Sequence, residues 1–382
     1  MFAVEPHVSN EVEVRAVNTA LTSFYIKVLG GHIVGIKPTL QKILLTSKVN
    51  HPLKKVVISY ITEPMIFLDQ TYTEDSVSWF ELIHDICNEL DFPKNQIEFV
   101  LGNIYAVESY NNWRKEYSIV EKINVKGLPN FYWLSRCIDK GYNKLFDVTP
   151  DKHLTCFIGR PRFQKNYIVK WYIENIQDTE NENKILATIL YKNISQSDSW
   201  FEQKENLDKI KKLPGRLEDG STDHSNAWLD GNPDIFNKSS LRGLVDFIID
   251  YVEFENIKNY DDYVKFKSER LWWHEDVLSE KLFVNILLKK PFIRLGMPSS
   301  LKRLQEWGFK TFDGILFDES YDDIENFYER ANFILDQVNG LLNIPFDDLH
   351  RKVKSDQVQE ILNHNYNLAY KIYNEKEELV NV

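Results

Sequence analysis

The sequence predicts an α/β protein made of two Rossmann-like domains facing a cleft, with further helices at the C-terminus. Three observations predict this. Short β-rich runs alternate with segments whose apolar residues recur at helical spacing, the pattern of parallel strands joined by crossover helices. At 382 residues the chain is longer than one core usually holds. The alternation also begins twice, near residue 56 and again near residue 153.

The first block opens with Val56-Val57-Ile58-Ser59-Tyr60-Ile61, a β-rich run closed by Thr62-Glu63-Pro64. A helix follows over 76–90, with Phe80, Ile83, Ile86 and Leu90 at helical spacing. Asp91-Phe92-Pro93-Lys94-Asn95 breaks it. Ile97-Glu98-Phe99-Val100-Leu101 reads as the next strand and 109–117 as the next helix. The second block starts with Leu154-Thr155-Cys156-Phe157-Ile158, a strand that runs into Gly159-Arg160-Pro161-Arg162. Helix 164–176 and strand 185–191 come next. The polar region 193–240 reads as a helix and then a long loop, and such loops are usually functional or mobile. Strand 244–254, helix 278–288, strand 291–296 and helices at 300–307, 324–341 and 347–373 complete the chain. The implied domains are 1–148, 149–343 and a helical tail, 344–382, that packs back across both.

Composition narrows the function classes. The net charge is −11, which does not suit a general nucleic-acid binder, although a local basic groove can sit in an acidic protein. Gly and Pro are scarce, at 15 and 13, which excludes collagen-like and low-complexity chains. Three cysteines with no C-x-x-C pair fit a reducing compartment rather than a disulfide framework. No apolar run approaches the ~18 residues of a membrane span, and the first residues lack the regions of a signal peptide. The expected location is the cytoplasm, or the host cytoplasm for a viral protein.

Several signatures are missing. There is no G-x-G-x-x-G, no P-loop, no G-x-S-x-G elbow and no H-E-x-x-H, and the nine histidines show no zinc spacing. There is also no D-x-D, the motif that holds a divalent ion against the diphosphate of a nucleotide sugar. No metal-ligating residue is therefore proposed. Any phosphate chemistry must rest on cationic side chains and helix N-termini.

The informative stretch is Leu278-Ser279-Glu280-Lys281-Leu282-Phe283, then Pro291-Phe292-Ile293-Arg294-Leu295-Gly296. It continues through Trp307-Gly308-Phe309-Lys310-Thr311-Phe312 and Asp318-Glu319-Ser320-Tyr321-Asp322. This resembles the donor-binding half of fucosyltransferase-like glycosyltransferases of the GT-B class, and more closely a set of viral and bacteriophage glycosyltransferase-like proteins. The specific match covers about 279–323. The resemblance implies a GT-B-like fold and a metal-independent transfer of a sugar from a nucleoside-diphosphate sugar to a hydroxyl acceptor. It implies that Glu280 accepts both ribose hydroxyls and that Lys281 places its ammonium beside the diphosphate. Physically, Ser279 can cap the helix and the helix N-terminus adds partial positive charge. An ordinary surface helix start is the alternative.

Other candidates follow from topology. Gly159, Arg160 and Arg162 form a turn after a predicted strand, where open α/β sheets bind ligands, and either arginine could grip the same diphosphate. The viral set often has a His-Arg pair just after this turn, where Gln164-Lys165 stand here. Glu253 and Glu255 end a predicted strand near the donor sugar. Glu63, with Asp69 close behind, is the candidate general base for an inverting enzyme, because the attacking hydroxyl must lose its proton. Trp272-Trp273 and Tyr132-Trp133 read as core or interface aromatics before sugar platforms. The Asp318–Asp322 segment reads as a turn whose Tyr packs on the core and whose acids cap the following helix. The acceptor is a hydroxymethylated base of phage DNA, or else a glycan, lipid or protein. The other class of function is a non-catalytic nucleotide- or carbohydrate-binding protein on the same fold. No cofactor is expected beyond the donor itself.

Overall fold

The computed structural model describes residues 12–16, 23–28, 37–38, 40–42, 44–45, 55–60, 77–103, 105–127, 131–158, 163–189, 206, 208–209, 213, 233–250, 260–268 and 278–375. Among these residues are nine strands in two sheets, both largely parallel, with helices between them.

The first sheet holds β1 (Val12–Ala16), β2 (Ser23–Val28), β3 (Lys55–Tyr60), β4 (Ile97–Leu101) and β5 (Asn124–Gly127), in that order. β1 runs antiparallel to β2, and every other pair is parallel. Helix α1 (Trp79–Glu89) joins β3 to β4, and α2 (Ala106–Glu116) joins β4 to β5. Ser78 sets the start of α1, because its hydroxyl accepts the N–H of Glu81 at 3.1 Å. Phe80, Ile83 and Cys87 fall on the buried face, and Phe80 meets Phe99 of β4 edge-on. The sequence reading placed β3, α1 and β4, but nothing at β1, β2 or β5. The alternation in Val12-Glu13-Val14-Arg15-Ala16 was the available signal for β1.

Helix α3 (Phe131–Asp139) follows the first sheet. The second sheet then holds β6 (Lys152–Ile158), β7 (Ile185–Ile189), β8 (Gly243–Ile249) and β9 (Phe292–Leu295), all parallel, in the order β7-β6-β8-β9. Helix α4 (Phe163–Asn175) connects β6 to β7. Helix α5 (Pro233–Leu241) leads into β8, within the region expected to be loop. Helices α6 (Tyr260–Ser268) and α7 (Glu280–Leu287) lie between β8 and β9. The chain steps outward from β6 to β7 and then returns to the other side at β8, so the order reverses between β6 and β8. Ligands of open α/β sheets bind at the carboxyl ends beside such a reversal. β8 is buried at every residue but ends at Ile249, short of the expected 254.

The C-terminal helices are α8 (Ser300–Glu306), α9 (Phe327–Asn343), α10 (Phe346–Val353) and α11 (Asp356–Asn374). α9 begins at 327 rather than 324 because the Asn326 side chain accepts the N–H groups of Tyr328 and Glu329 at 2.9 and 3.2 Å. The expected helix over 347–373 is two helices, the second starting after Ser355. α11 packs on both α3 and α7. Tyr373 donates to the Asp139 carboxylate at 2.5 Å, and the Lys289 ammonium lies 4.4 Å from the ring centre of Tyr366. The ends of β4 and β9 also meet: the Tyr105 hydroxyl donates to the Pro298 carbonyl at 3.2 Å. Among the described residues no helix is long and apolar enough to cross a membrane.

Candidate functional site

A helix that precedes a strand of a parallel sheet runs antiparallel to it, so its N-terminus stands at the carboxyl edge of the sheet. α7 precedes β9, which puts Ser279, Glu280 and Lys281 at that edge, beside the end of β8. Ser279 has extended backbone geometry and its hydroxyl accepts the Lys281 N–H at 3.1 Å, a helix cap as its position predicts. The N–H of Ser279 in turn donates to Asp250, the first residue after β8, at 3.3 Å. Glu280 occupies the first turn, where negative charge opposes the positive end of the helix dipole.

The Lys281 ammonium lies 3.7 Å from the Glu280 carboxylate and 3.9 Å from that of Asp250. These are ion-pair distances, longer than a hydrogen bond. Only 13% of the Lys281 side chain and 17% of the Glu280 side chain reach solvent, so the couple faces the sheet edge and not bulk water. Arg294 of β9 is fully buried, and its guanidinium sits 3.4 Å from Asp250. Asp250 therefore meets three groups at once: a helix-cap amide, an ammonium and a guanidinium. Among the described residues two carboxylates face two cations in the cluster. Gly296 is part of the same construction, because a Cβ there would stand 2.6 Å from the Ser300 hydroxyl and 3.0 Å from the Arg294 guanidinium carbon.

A second buried network fixes α7 along its length. The Asn285 carboxamide donates to the Lys281 carbonyl at 2.9 Å and to Asp246 of β8 at 2.5 Å. Lys290 lies 3.7 Å from Asp246, donates to the Ser240 carbonyl at 2.7 Å, and also donates to the Thr155 hydroxyl. Burial drives the Lys290 ammonium down to about 8, against the opposing pull of Asp246.

The 318–322 segment packs its Tyr on the core as expected, but its acids cap a different helix. Tyr321 is buried, and its hydroxyl accepts the Arg294 N–H at 3.5 Å. The Asp322 carboxylate accepts the N–H groups of Leu301 and Lys302, each at 3.0 Å. These acids do not cap the following helix: Asp322 caps α8, twenty residues earlier, while Asn326 caps α9. Glu319 accepts the Phe312 N–H at 2.9 Å, and burial raises its carboxyl to about 7.

Of the candidates read from the sequence, Ser279, Glu280 and Lys281 come together at the sheet edge. Glu63, Gly159, Arg160, Arg162 and Glu253 lie outside the described residues, as do Asp69, Glu255, Trp272 and Trp273. Lys165 is buried in the first turn of α4, at the same edge of the sheet. Trp133 is half-buried on α3, with the Arg136 guanidinium 5.9 Å from its ring centre. Asp250 and Arg294 were missed. Their signal was a charge set directly in an apolar run, Phe247-Ile248-Ile249-Asp250 and Phe292-Ile293-Arg294-Leu295. Such a charge must find a partner when the strand is buried. All three cysteines are buried and free, and burial holds the Cys137 thiol, 3.8 Å from the Glu280 carbonyl, well above its usual range. Among the described residues no group of three or more His, Cys, Asp and Glu side chains could hold a metal ion.

No protein-family model matches the sequence, and no curated protein matches it. A similar solved structure is that of the DNA-modifying enzyme beta-glucosyltransferase, studied in the presence and absence of its substrate uridine diphosphoglucose. The two chains share 10% identity with a TM-score of 0.34, over 93% of this chain and 96% of that one.

Proposed function

We propose that this protein is a metal-independent glycosyltransferase that moves a sugar from a nucleoside-diphosphate sugar to a hydroxyl acceptor. The observation that carries the reading is the capped turn Ser279-Glu280-Lys281, held by Asp250 at the carboxyl edge of a parallel sheet. Its physical logic is charge. As the anomeric C–O bond to the diphosphate breaks, the departing phosphate takes the electron pair. The Lys281 ammonium and the α7 N-terminus stabilise that negative charge. Glu280 accepts the ribose hydroxyls and so fixes the nucleoside.

In this reading residues 149–343 bind the donor, 1–148 present the acceptor across a cleft, and 344–382 brace the two. Gly159, Arg160 and Arg162 add donors to the diphosphate, Glu253 approaches the donor sugar, and Glu63 takes the acceptor proton as the new C–O bond forms. The acceptor is a hydroxyl: on a hydroxymethylated DNA base, as the phage-like motif favours, or on a glycan, lipid or protein, as the net charge of −11 favours. A salt series separates the two, because duplex DNA affinity falls steeply with salt for a DNA-acting enzyme.

Calorimetric titration with a panel of nucleoside diphosphates tests the donor site. Lys281→Ala is expected to weaken the preferred one at least ~10-fold, about 1.4 kcal/mol. Glu280→Gln is expected to abolish the preference for the ribonucleotide over its 2′-deoxy counterpart. Unchanged affinity in both variants would remove the reading. Binding without release of nucleoside diphosphate from any nucleotide sugar would instead mark a non-catalytic binding protein.

A further inference from the structure

A pocket of about 280 Å³ opens where the carboxyl ends of β4 and β9 approach each other. Tyr105 and Glu108 line it from the start of α2, and Met297, Pro298, Ser299, Lys302 and Arg303 from the segment after β9. Lys267 of α6 and Glu325 close the remaining side. The Tyr105–Pro298 hydrogen bond, at 3.2 Å, ties the two walls together. The Arg303 guanidinium lies 4.7 Å from the ring centre of Tyr105 and pairs with Glu306 at 2.8 Å and Glu108 at 3.4 Å.

The lining selects a ligand class. Among the described lining residues Lys267, Lys302 and Arg303 supply three positive charges, and Glu108, Glu306 and Glu325 three negative ones, so these residues offer no surplus charge for an anion or a cation. A zwitterion would have to displace the Arg303 pairs already made. An apolar ligand would strip water from six charged groups, which is costly. Carboxylates only accept hydrogen bonds, and ammonium and guanidinium groups only donate them, whereas a hydroxyl does both. Adjacent hydroxyls on one ring can therefore bridge each acid–base couple without breaking it. The volume is near the lower end of ligand pockets, ~300 Å³, and suits one ring rather than a chain of them.

We propose that this pocket binds one neutral polyhydroxylated ring, a single monosaccharide unit. The inference rests on the lining alone and stands whether or not Glu280 and Lys281 hold a nucleotide. The ring belongs to the donor or to the acceptor, and the test separates these sources.

The probes are methyl glycosides of the common hexoses, the nucleoside diphosphate and the corresponding nucleotide sugar, each titrated against wild type and the double variant Glu108→Gln, Lys302→Met. Both side chains are exposed, so the variant is expected to fold, and its melting temperature checks that. A methyl glycoside that binds wild type in the millimolar range and the variant at least ~5-fold more weakly supports the proposal and assigns the ring to the acceptor. A similar loss confined to the nucleotide sugar, with the nucleoside diphosphate unchanged, supports it and assigns the ring to the donor. The proposal is overturned if neither affinity changes in the folded variant. It is equally overturned if glycine or inorganic phosphate binds the pocket in preference to every glycoside. Failure of all nucleotide binding would count against the glycosyltransferase reading and leave the glycoside result to stand by itself.

Discussion

Arg294 and Asp250 form an ion pair at 3.4 Å in which the arginine side chain is fully buried and the aspartate 5% exposed. Asp250 directly follows β8 and Arg294 lies in the adjacent β9, and the same carboxylate receives the cap amide of Ser279. The pair thus joins the end of β8, the start of α7 and the body of β9.

Removing one partner of a buried pair takes an opposing charge from the other, which costs up to ~3–5 kcal/mol. Asp250→Asn is accordingly expected to lower unfolding stability by about that much. Pairing it with Arg294→Met should recover part of the loss, since the buried guanidinium that lost its carboxylate is then gone as well. Urea denaturation of the two variants checks this. Equal stability for Asp250→Asn and wild type would show that the guanidinium is satisfied without the carboxylate.

Glu319 makes stability depend on pH. Burial raises its carboxyl from 4.5 to about 7 in the folded protein, so the folded state holds a proton that the unfolded state releases. The sign follows from linkage: this contribution is complete below pH ~4.5 and is lost as pH rises through ~7. Its size is on the order of 3 kcal/mol. Glu319→Gln keeps the neutral form and should flatten that part of the stability profile between pH 5 and 8. An unaltered profile would place the titration elsewhere.

Asp322 is expected to matter for α8 and not for the helix that follows it in sequence. Asp322→Ala removes the acceptor for two backbone N–H groups, at a cost of ~1–2 kcal/mol. Hydrogen exchange should quicken at Leu301 and Lys302 while the first turn of α9 keeps its protection. Faster exchange at Tyr328 and Glu329 instead would contradict the assignment.

Two glycines are expected to differ in their tolerance of alanine. At Gly243 a Cβ would lie 2.8 Å from the Thr155 backbone nitrogen and 2.9 Å from the Leu154 carbonyl carbon, neither of which can move without parting β6 from β8. At Gly296 the nearest atom is the Ser300 hydroxyl, a side-chain tip that can rotate. Gly243→Ala should therefore cost the upper part of the ~1–3 kcal/mol range for overpacking, and Gly296→Ala less. Thermal melts of the two variants compare them, and the reverse order would refute the argument.

Legibility of the fold tracked the range of the interactions. The strands at 97–101 and 292–295 and the helix at 79–89 were readable because runs of apolar residues and helical spacing are written in neighbouring residues. β5 was not, since Asn124-Val125-Lys126-Gly127 is an edge strand that buries little and carries no pattern. The start of α9 was misplaced by three residues because Asn326, not an upstream acid, takes the cap.

The turn at 279–281 shows the same division at the candidate site. Its own chemistry, a hydroxyl cap followed by an acid and a base, determined that a helix begins there and presents two opposite charges. That Asp250 meets the cap amide of Ser279, and that Arg294 lies beneath them, was decided only when parallel pairing of β8 with β9 brought positions 29 and 44 residues apart into contact. Local propensity acts over a turn of chain, whereas a buried charge is matched through whichever strands the sheet sets side by side.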